Sequence, residues 1–291
     1  MMNATEENIP TVLLCCDLDR TLIPNGSQTE SAQARPLFRE LCAHPAVHLA
    51  LVSGRHLQLV TEAIEQWQLP VPDFIIGDVG TSIYTREEGH WRHWDHWSAE
   101  IGPDWGGMTH QDITTELADI SAITLQPAEQ QGIFKVSYQV DMGINRDILE
   151  AELLRRLWGI GVNARLVWSF DEMTDTGLLD ILPSSASKLH AIEFLGQQCA
   201  YPQERTVFAG DSGNDLEVLG SHIHSVLVAN AHQEVQEEAM RMAAASDLAD
   251  TLYIAHGGFL GMNGNYSAGV LEGLAHYLPE TAAWMKLPAC S

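Results

Sequence analysis

The chain has 291 residues, and its 15 lysines and arginines face 39 aspartates and glutamates, for a formal net charge of −24. That balance argues against nucleic acid or an anionic membrane surface as a partner, because both bind through clustered cations. Hydrophobic residues make up 45% of the chain, enough for a full core plus a second unit, and no apolar stretch approaches the roughly 20 residues of a membrane helix.

Residues 12 to 17, VLLCCD, are an apolar run of the length of a buried parallel strand. The run stops at Asp17 and Asp19, with Thr21 next and Pro24 and Gly26 behind. Both acids are therefore expected where the first strand of an α/β sheet releases the chain, the usual place for a site in such folds. Two carboxylates there repel each other and are costly to desolvate, so a bound cation or a chemical task must explain them. SAQARPLFRELCA at 31 to 43 has helical composition, with Pro36 tolerated near a first turn. VHLALVSG at 47 to 54 is a second strand candidate, and the stripe at 57, 60, 64 and 67 predicts a helix closed by Pro70. DFIIGDVGTSIY at 73 to 84 reads as strand, turn and strand. This βαβ rhythm implies a parallel sheet covered by helices.

The middle breaks the rhythm. Residues 86 to 107 are rich in Trp, Gly and His, and 111 to 120 look helical. IFKVSYQVD at 133 to 141 alternates like a half-buried strand, RDILEAELLRRLWGIG at 146 to 161 is an amphipathic helix stopped by glycine, and ARLVWSF at 164 to 170 is another strand. Short alternating strands predict a separate α+β module with an antiparallel sheet. LLDILP at 178 to 183 and RTVFAGD at 205 to 211 then return to the apolar-run style of the first part. The expected organisation is one domain, 1–85 and 168–291, interrupted by an inserted one, 86–167. HGGFLGMNGNYSAGV at 256 to 270 reads as a connecting loop running into a helix that reaches about Tyr277, rather than a dinucleotide loop, since no strong strand precedes it.

The five cysteines, at 15, 16, 42, 199 and 290, show no CxxC spacing and read as reduced, buried hydrophobes. The first ten residues carry acids and no basic segment, so no signal peptide is seen and a cytoplasmic location is expected. Histidines 90, 93 and 96 alternate with tryptophans 91, 94 and 97. Packing by the tryptophans is favoured over a zinc site there. His222, His224 and His256 read as surface or core fillers.

Four pieces fall at strand ends or helix starts: DLDRT at 17 to 21, SGR at 53 to 55, Lys188, and GDSGND at 210 to 215. Phosphoryl transfer needs an in-line nucleophile, cations for the non-bridging oxygens and a proton donor for the leaving alcohol. Asp17 suits the nucleophile, Asp19 the acid and base, and Asp211 a hard oxygen ligand for magnesium, with Asp215 holding the ligand shell. The chain has only three lysines, at 135, 188 and 286, against twelve arginines. Lys188 nevertheless heads a predicted helix, where the macrodipole disfavours an ammonium, and this points to an anion nearby.

In this order and with these gaps, the four pieces resemble the motifs of the haloacid dehalogenase superfamily. DVGTSIY at 78 to 84, FKVSYQVD at 134 to 141, LLDILP with Lys188, GDSGNDLEVL at 210 to 219 and SAGVLEGLAHY at 267 to 277 resemble its sucrose-phosphate phosphatase family, over about residues 11 to 278. The resemblance implies a Rossmann-like α/β core with a parallel sheet and an inserted α+β cap. It implies that Asp17 is phosphorylated, that Asp19 is the acid/base and gives its carbonyl to Mg2+, and that Asp17, Asp19, Asp211 and Asp215 form the metal site. Ser53, Gly54, Lys188 and Asn214 would bind phosphate. Arg55, Gln126, Lys135 and Ser137 are candidate substrate contacts, the last two on one side of a predicted strand, with Gln139 beside them and Glu129 and Gln130 upstream. Arg20 departs from the pattern, standing where many members have glycine or asparagine.

The implied reaction is hydrolysis of a disaccharide phosphate, foremost sucrose 6F-phosphate, with mannosylfructose phosphate and glucosylglycerol phosphate as rivals. A phosphosugar mutase of the phosphomannomutase type and a non-catalytic sugar-binding module are the other classes. A sugar-phosphate synthase is the candidate protein partner, and the expected state is a monomer or small homo-oligomer.

Overall fold

The computed structural model describes residues 11–141, 143–171 and 176–286. The expectations for the first ten residues and for Cys290 lie outside them. In chain order the elements begin with β1 (Val12–Cys16), α1 (Ala34–Cys42), β2 (Val47–Val52), α2 (Leu57–Trp67), β3 (Phe74–Gly77), β4 (Ser82–Glu87), β5 (His90–His93) and α3 (Asp95–Ile101). They continue with α4 (His110–Glu116), β6 (Ile123–Leu125), β7 (Val136–Val140), α5 (Arg146–Gly159), β8 (Ala164–Asp171), β9 (Thr176–Pro183) and α6 (Lys188–Gln198). The last are β10 (Thr206–Gly210), α7 (Leu216–Leu219), β11 (His224–Leu227), α8 (Gln233–Ala245), β12 (Leu252–Ile254) and α9 (Ser267–Tyr277). Two compact units result. The first takes the described residues through Ser53, Gln58–Ile75 and those from Ile192 on; the second takes Gly54–Leu57 and Ile76–Ala191.

The first unit is built on a sheet in the order β12-β11-β10-β1-β2-β3. β1 lies at its centre and pairs in parallel with β10 and β2, while β10, β11 and β12 continue the parallel set. An all-parallel arrangement buries both faces, which is why β1 is apolar at every position rather than alternating: all five of its residues are fully buried. Burial pushes the Cys15 and Cys16 thiols far up, so neither is a nucleophile. α1 buries Ala34, Leu37, Phe38 and Leu41, the one-sided stripe of a helix lying on a sheet. β11 and β12, four and three residues long, are too short to have stood out in the sequence.

The second unit carries its own four-stranded sheet in the order β6-β7-β9-β8, antiparallel throughout. α5 packs Leu149, Leu153 and Leu157 into a core with Trp105, Ile113, Val136, Tyr138, Leu179 and Ile181. β9 corrects the reading of LLDILP as a return to the parallel core. It is an interior strand of this antiparallel sheet, paired on both sides. An apolar run has the same appearance in either setting, because burial rather than strand direction sets its composition. The unit therefore reaches beyond 86–167 on both sides. β4 and β5 form a hairpin in which Glu88 and Gly89 both take positive φ, 49° and 83°, as a two-residue hairpin turn requires. The histidine–tryptophan run is thus strand followed by helix, and Trp97 is fully buried with its indole N–H donating to the Gly80 carbonyl at 3.1 Å.

Candidate active site

β1 and β10 run side by side with Cys16 opposite Ala209, and the Asp17 N–H donates to the Ala209 carbonyl at 2.9 Å. Parallel neighbours release their chains at the same end, so Asp17 and Asp211 emerge together. Asp215 joins them through the short turn Gly213–Asp215, whose N-cap is Ser212. Its Oδ2 accepts from the backbone N–H groups of Asp211 and Ser212, both at 3.1 Å, and from the Ser212 hydroxyl at 3.3 Å. Gly210 makes the approach possible: a Cβ there would lie 2.6 Å from the Asp215 carboxyl carbon. One carboxylate oxygen from each of Asp17, Asp211 and Asp215 then lies within 4.8 Å of the others, and the residues are 5%, 2% and 0% exposed.

Three buried like charges at this spacing are strongly unfavourable without compensating cations. Hard oxygen donors suit Mg2+ or Ca2+ rather than a thiolate- or imidazole-loving metal. The donor set therefore fits the magnesium that the sequence motifs imply. Among the described residues this is the single group of three or more His, Cys, Asp or Glu side chains with metal-site spacing, so the histidine run does not form one.

The segment after Asp17 turns tightly. The Leu18 carbonyl accepts from the N–H groups of Leu22 and Ile23 at 3.0 and 2.8 Å, and the turn places Arg20 at φ 59°. That left-handed backbone is natural for glycine and tolerable for asparagine, but not for arginine. Arg20 is held there by its N–H donating to Asn25 Oδ1 at 2.9 Å and by Asn230 Nδ2 donating to its carbonyl at 2.7 Å. Its Nε reaches Asp211 Oδ2 at 3.2 Å, and Thr21 Oγ1 donates to Asp211 Oδ1 at 3.3 Å. Asn25 Nδ2 donates to Asp19 Oδ1 at 2.7 Å. Ser53, 1% exposed, follows β2 in the same unit, and exposed Asn214 accepts from the Ser212 hydroxyl at 3.1 Å.

The remaining candidates belong to the second unit. Gly54 and Arg55 are half-buried, and the Arg55 carbonyl accepts from the Asp78 N–H at 3.0 Å. Lys188, 3% exposed, is the first residue of α6. The turn Asp78–Gly80 leans on the residues just before it: Gly80 has φ 92°, and a Cβ there would meet the Ser187 carbonyl at 2.5 Å. Lys135 is buried as well. Its Nζ lies 3.0 Å from Asp78 Oδ1, with each side chain 5% exposed, and Ser82 donates to Asp78 Oδ2 at 3.3 Å. Ser137 donates to Asp180 Oδ1 at 2.5 Å and to the Gln130 carbonyl at 3.1 Å, while Gln126 is tied to the Ser137 carbonyl and, through Nε2, to that of Tyr138. Gln139 is exposed. Burial pushes the Asp180 carboxyl up; Lys135 and the Ser137 hydroxyl oppose this, and Asp78 adds to it.

Sequence reasoning missed Asp78 and Asp180 as members of this buried cluster. The available signal was a lone aspartate inside each of two apolar segments, FIIGDVG and LLDILP. It also missed Asn230, Arg20's anchor, which no motif marks.

A family model described as sucrose-6F-phosphate phosphohydrolase matches residues 10–278. A protein of Nitrosococcus oceani, named as a HAD-like hydrolase, is 50% identical over 275 residues, 94% of this chain and 74% of that protein. A mannosylfructose-phosphate phosphatase of Agrobacterium fabrum is 28% identical over 92% of this chain and 97% of its own. Among solved structures, the sucrose-phosphatase of Synechocystis in complex with sucrose and phosphate has a TM-score of 0.71 at 24% identity, covering 92% of this chain and 98% of that one, which shows a shared fold. A family match running almost end to end, over a carboxylate trio at the ends of two parallel strands, leads to one assignment: this chain belongs to the sucrose-6F-phosphate phosphohydrolase family of haloacid dehalogenase phosphatases.

Proposed function

We propose that the chain is a magnesium-dependent phosphatase that converts a disaccharide phosphate, foremost sucrose 6F-phosphate, to the free sugar and inorganic phosphate. The observation that carries this is the buried trio of Asp17, Asp211 and Asp215 within 4.8 Å, set in a chain that the family matches over residues 10–278. An Asp17 oxygen attacks phosphorus while the sugar C–O–P bridge breaks on its phosphorus side, and Asp19 gives its proton to the departing sugar oxygen. Asp19, now ionised, takes a proton from water as that water attacks the aspartyl phosphate, which returns Asp17 as a carboxylate and releases phosphate. Asp17, Asp211 and Asp215, with the Asp19 carbonyl, would hold a Mg2+, which when bound would supply positive charge for the phosphoryl oxygens. By the order of the family motifs, Ser53, Gly54, Lys188 and Asn214 hold the phosphate. Arg55, next to Ser53 and Gly54, and Gln126, Lys135 and Ser137, at and just before one alternating strand, are assigned to the sugar.

Mannosylfructose phosphate is the second reading, favoured by the 28% identical phosphatase matched over 97% of its length. The test is phosphate release with Mg2+ over sucrose 6F-phosphate, mannosylfructose phosphate, glucosylglycerol phosphate and hexose monophosphates. The proposal expects kcat/KM for sucrose 6F-phosphate to exceed the hexose phosphates by about ten-fold or more. Comparable rates on hexose phosphates would remove the disaccharide assignment. A requirement for a sugar bisphosphate without net phosphate release would point to a mutase.

A further inference from the structure

We propose that Arg20 is a built-in counter-cation of the carboxylate trio, and that it sets how weakly the centre holds its divalent ion. The inference rests on the metal-centre part of the reading above and goes beyond it.

Arg20 occupies its place against local preference. A non-glycine residue at φ 59° is disfavoured by its Cβ, and arginine has no short polar side chain to offset this locally. The surroundings hold it by both ends. Asn230, 3% exposed, donates through Nδ2 to the Arg20 carbonyl at 2.7 Å, and its own carbonyl accepts from the guanidinium at 3.4 Å. Asn230 is fixed in turn by its Oδ1, which accepts from the Tyr266 N–H at 2.7 Å, and Tyr266 is fully buried. The result of this clamping is one contact, Nε to Asp211 Oδ2 at 3.2 Å, from a side chain 25% exposed onto one 2% exposed.

A guanidinium so placed acts in two ways. Before an ion arrives, it offsets part of the repulsion among Asp17, Asp211 and Asp215. When an ion binds, the fixed positive charge beside Asp211 would oppose the incoming dication. The ion is therefore held more weakly than three buried carboxylates alone would hold it, and the ion-free protein is more stable than it would otherwise be.

The test uses the full chain stripped of metal, titrated with Mg2+ by calorimetry and with Mn2+ by electron paramagnetic resonance. Arg20→Asn and Arg20→Gly both suit the left-handed backbone, which separates loss of charge from loss of fold. Each is expected to bind Mg2+ at least about ten-fold more tightly than the wild type, close to 1.4 kcal/mol. Each is also expected to melt at a lower temperature without metal and to recover when Mg2+ is added. Arg20→Lys keeps a charge and is expected within about three-fold of the wild type. Equal or weaker binding in the Asn and Gly variants, with the wild type binding normally, would overturn the role given to Arg20 and leave the metal centre standing. No divalent binding in any of the proteins would overturn both.

Discussion

Gly210→Ala is the most stringent test of how the carboxylate trio is assembled. The added Cβ would stand 2.6 Å from Asp215 Cγ and Oδ2 and 2.9 Å from its Cβ, against carbon contacts of about 3.5–4.0 Å. The Asp215 carboxylate must retreat by about 1 Å, which stretches its two 3.1 Å bonds from the Asp211 and Ser212 N–H groups beyond hydrogen-bonding range. Hydrogen bonds to a charged group contribute about 1.5–3 kcal/mol each, and overpacking adds about 1–3 kcal/mol. Partial relaxation and water reduce the total, leaving an expected loss of about 3 kcal/mol from the first unit. Scanning calorimetry of the metal-free chain reads it as a lower transition temperature. Phosphate release is expected to fall as well, because Asp215 no longer faces Asp17 and Asp211. The mechanism makes a coupled demand: in an Asp215→Gly background the three closest contacts of the added Cβ are gone, and the same alanine is expected to cost less than about 0.5 kcal/mol further. A cost below about 0.5 kcal/mol in the wild-type background, or an equal cost in both, would refute the reasoning.

Two predictions concern the second unit. Asp78→Asn leaves the Lys135 ammonium buried without its carboxylate and is expected to destabilise the unit by about 3–5 kcal/mol, whereas Asp78→Asn with Lys135→Met is expected to recover most of that loss; thermal melts of the three proteins decide it. Asp180 titrates upward in the folded chain because it is buried, so between its unfolded pKa, near 3.9, and its raised folded value the native state holds more protons than the unfolded one. Stability from this group is therefore present at low pH and is lost as pH rises through the folded value. Asp180→Asn, which keeps a hydrogen-bonding partner for Ser137, should melt like the wild type near pH 4 and above it near pH 8. Parallel curves across that range would contradict the assignment.

The carboxylate cluster was legible in the sequence where its members sat at strand ends. Asp17 and Asp211 follow runs whose burial alone dictates their composition, so the place where each run stops marks a sheet edge. What composition does not encode is which buried strand lies in which sheet, and β9 was placed in the wrong one for that reason. Lys135 illustrates a second limit. Its rarity and its place in an alternating strand mark it out, but the Asp78 carboxylate that its ammonium meets stands 57 residues earlier in the chain, and no local pattern links the two. Arg20 illustrates a third: the sequence marked it as a departure, but its contact with Asp211 follows from a left-handed turn and from Asn230, and neither leaves a trace in a motif. The short β11 and β12 went unread because three or four residues carry too little periodicity to register.

The central claim is that a carboxylate oxygen of Asp17, held beside Asp211 and Asp215, receives the phosphoryl group. It is tested most directly by comparing phosphate release from sucrose 6F-phosphate by the wild type and by Asp17→Asn, both folded and both with Mg2+. The account predicts release by the wild type and a fall on the order of 10³-fold or more in the variant, since an amide neither attacks phosphorus nor carries the charge of the trio. Release by Asp17→Asn at the wild-type rate would contradict it.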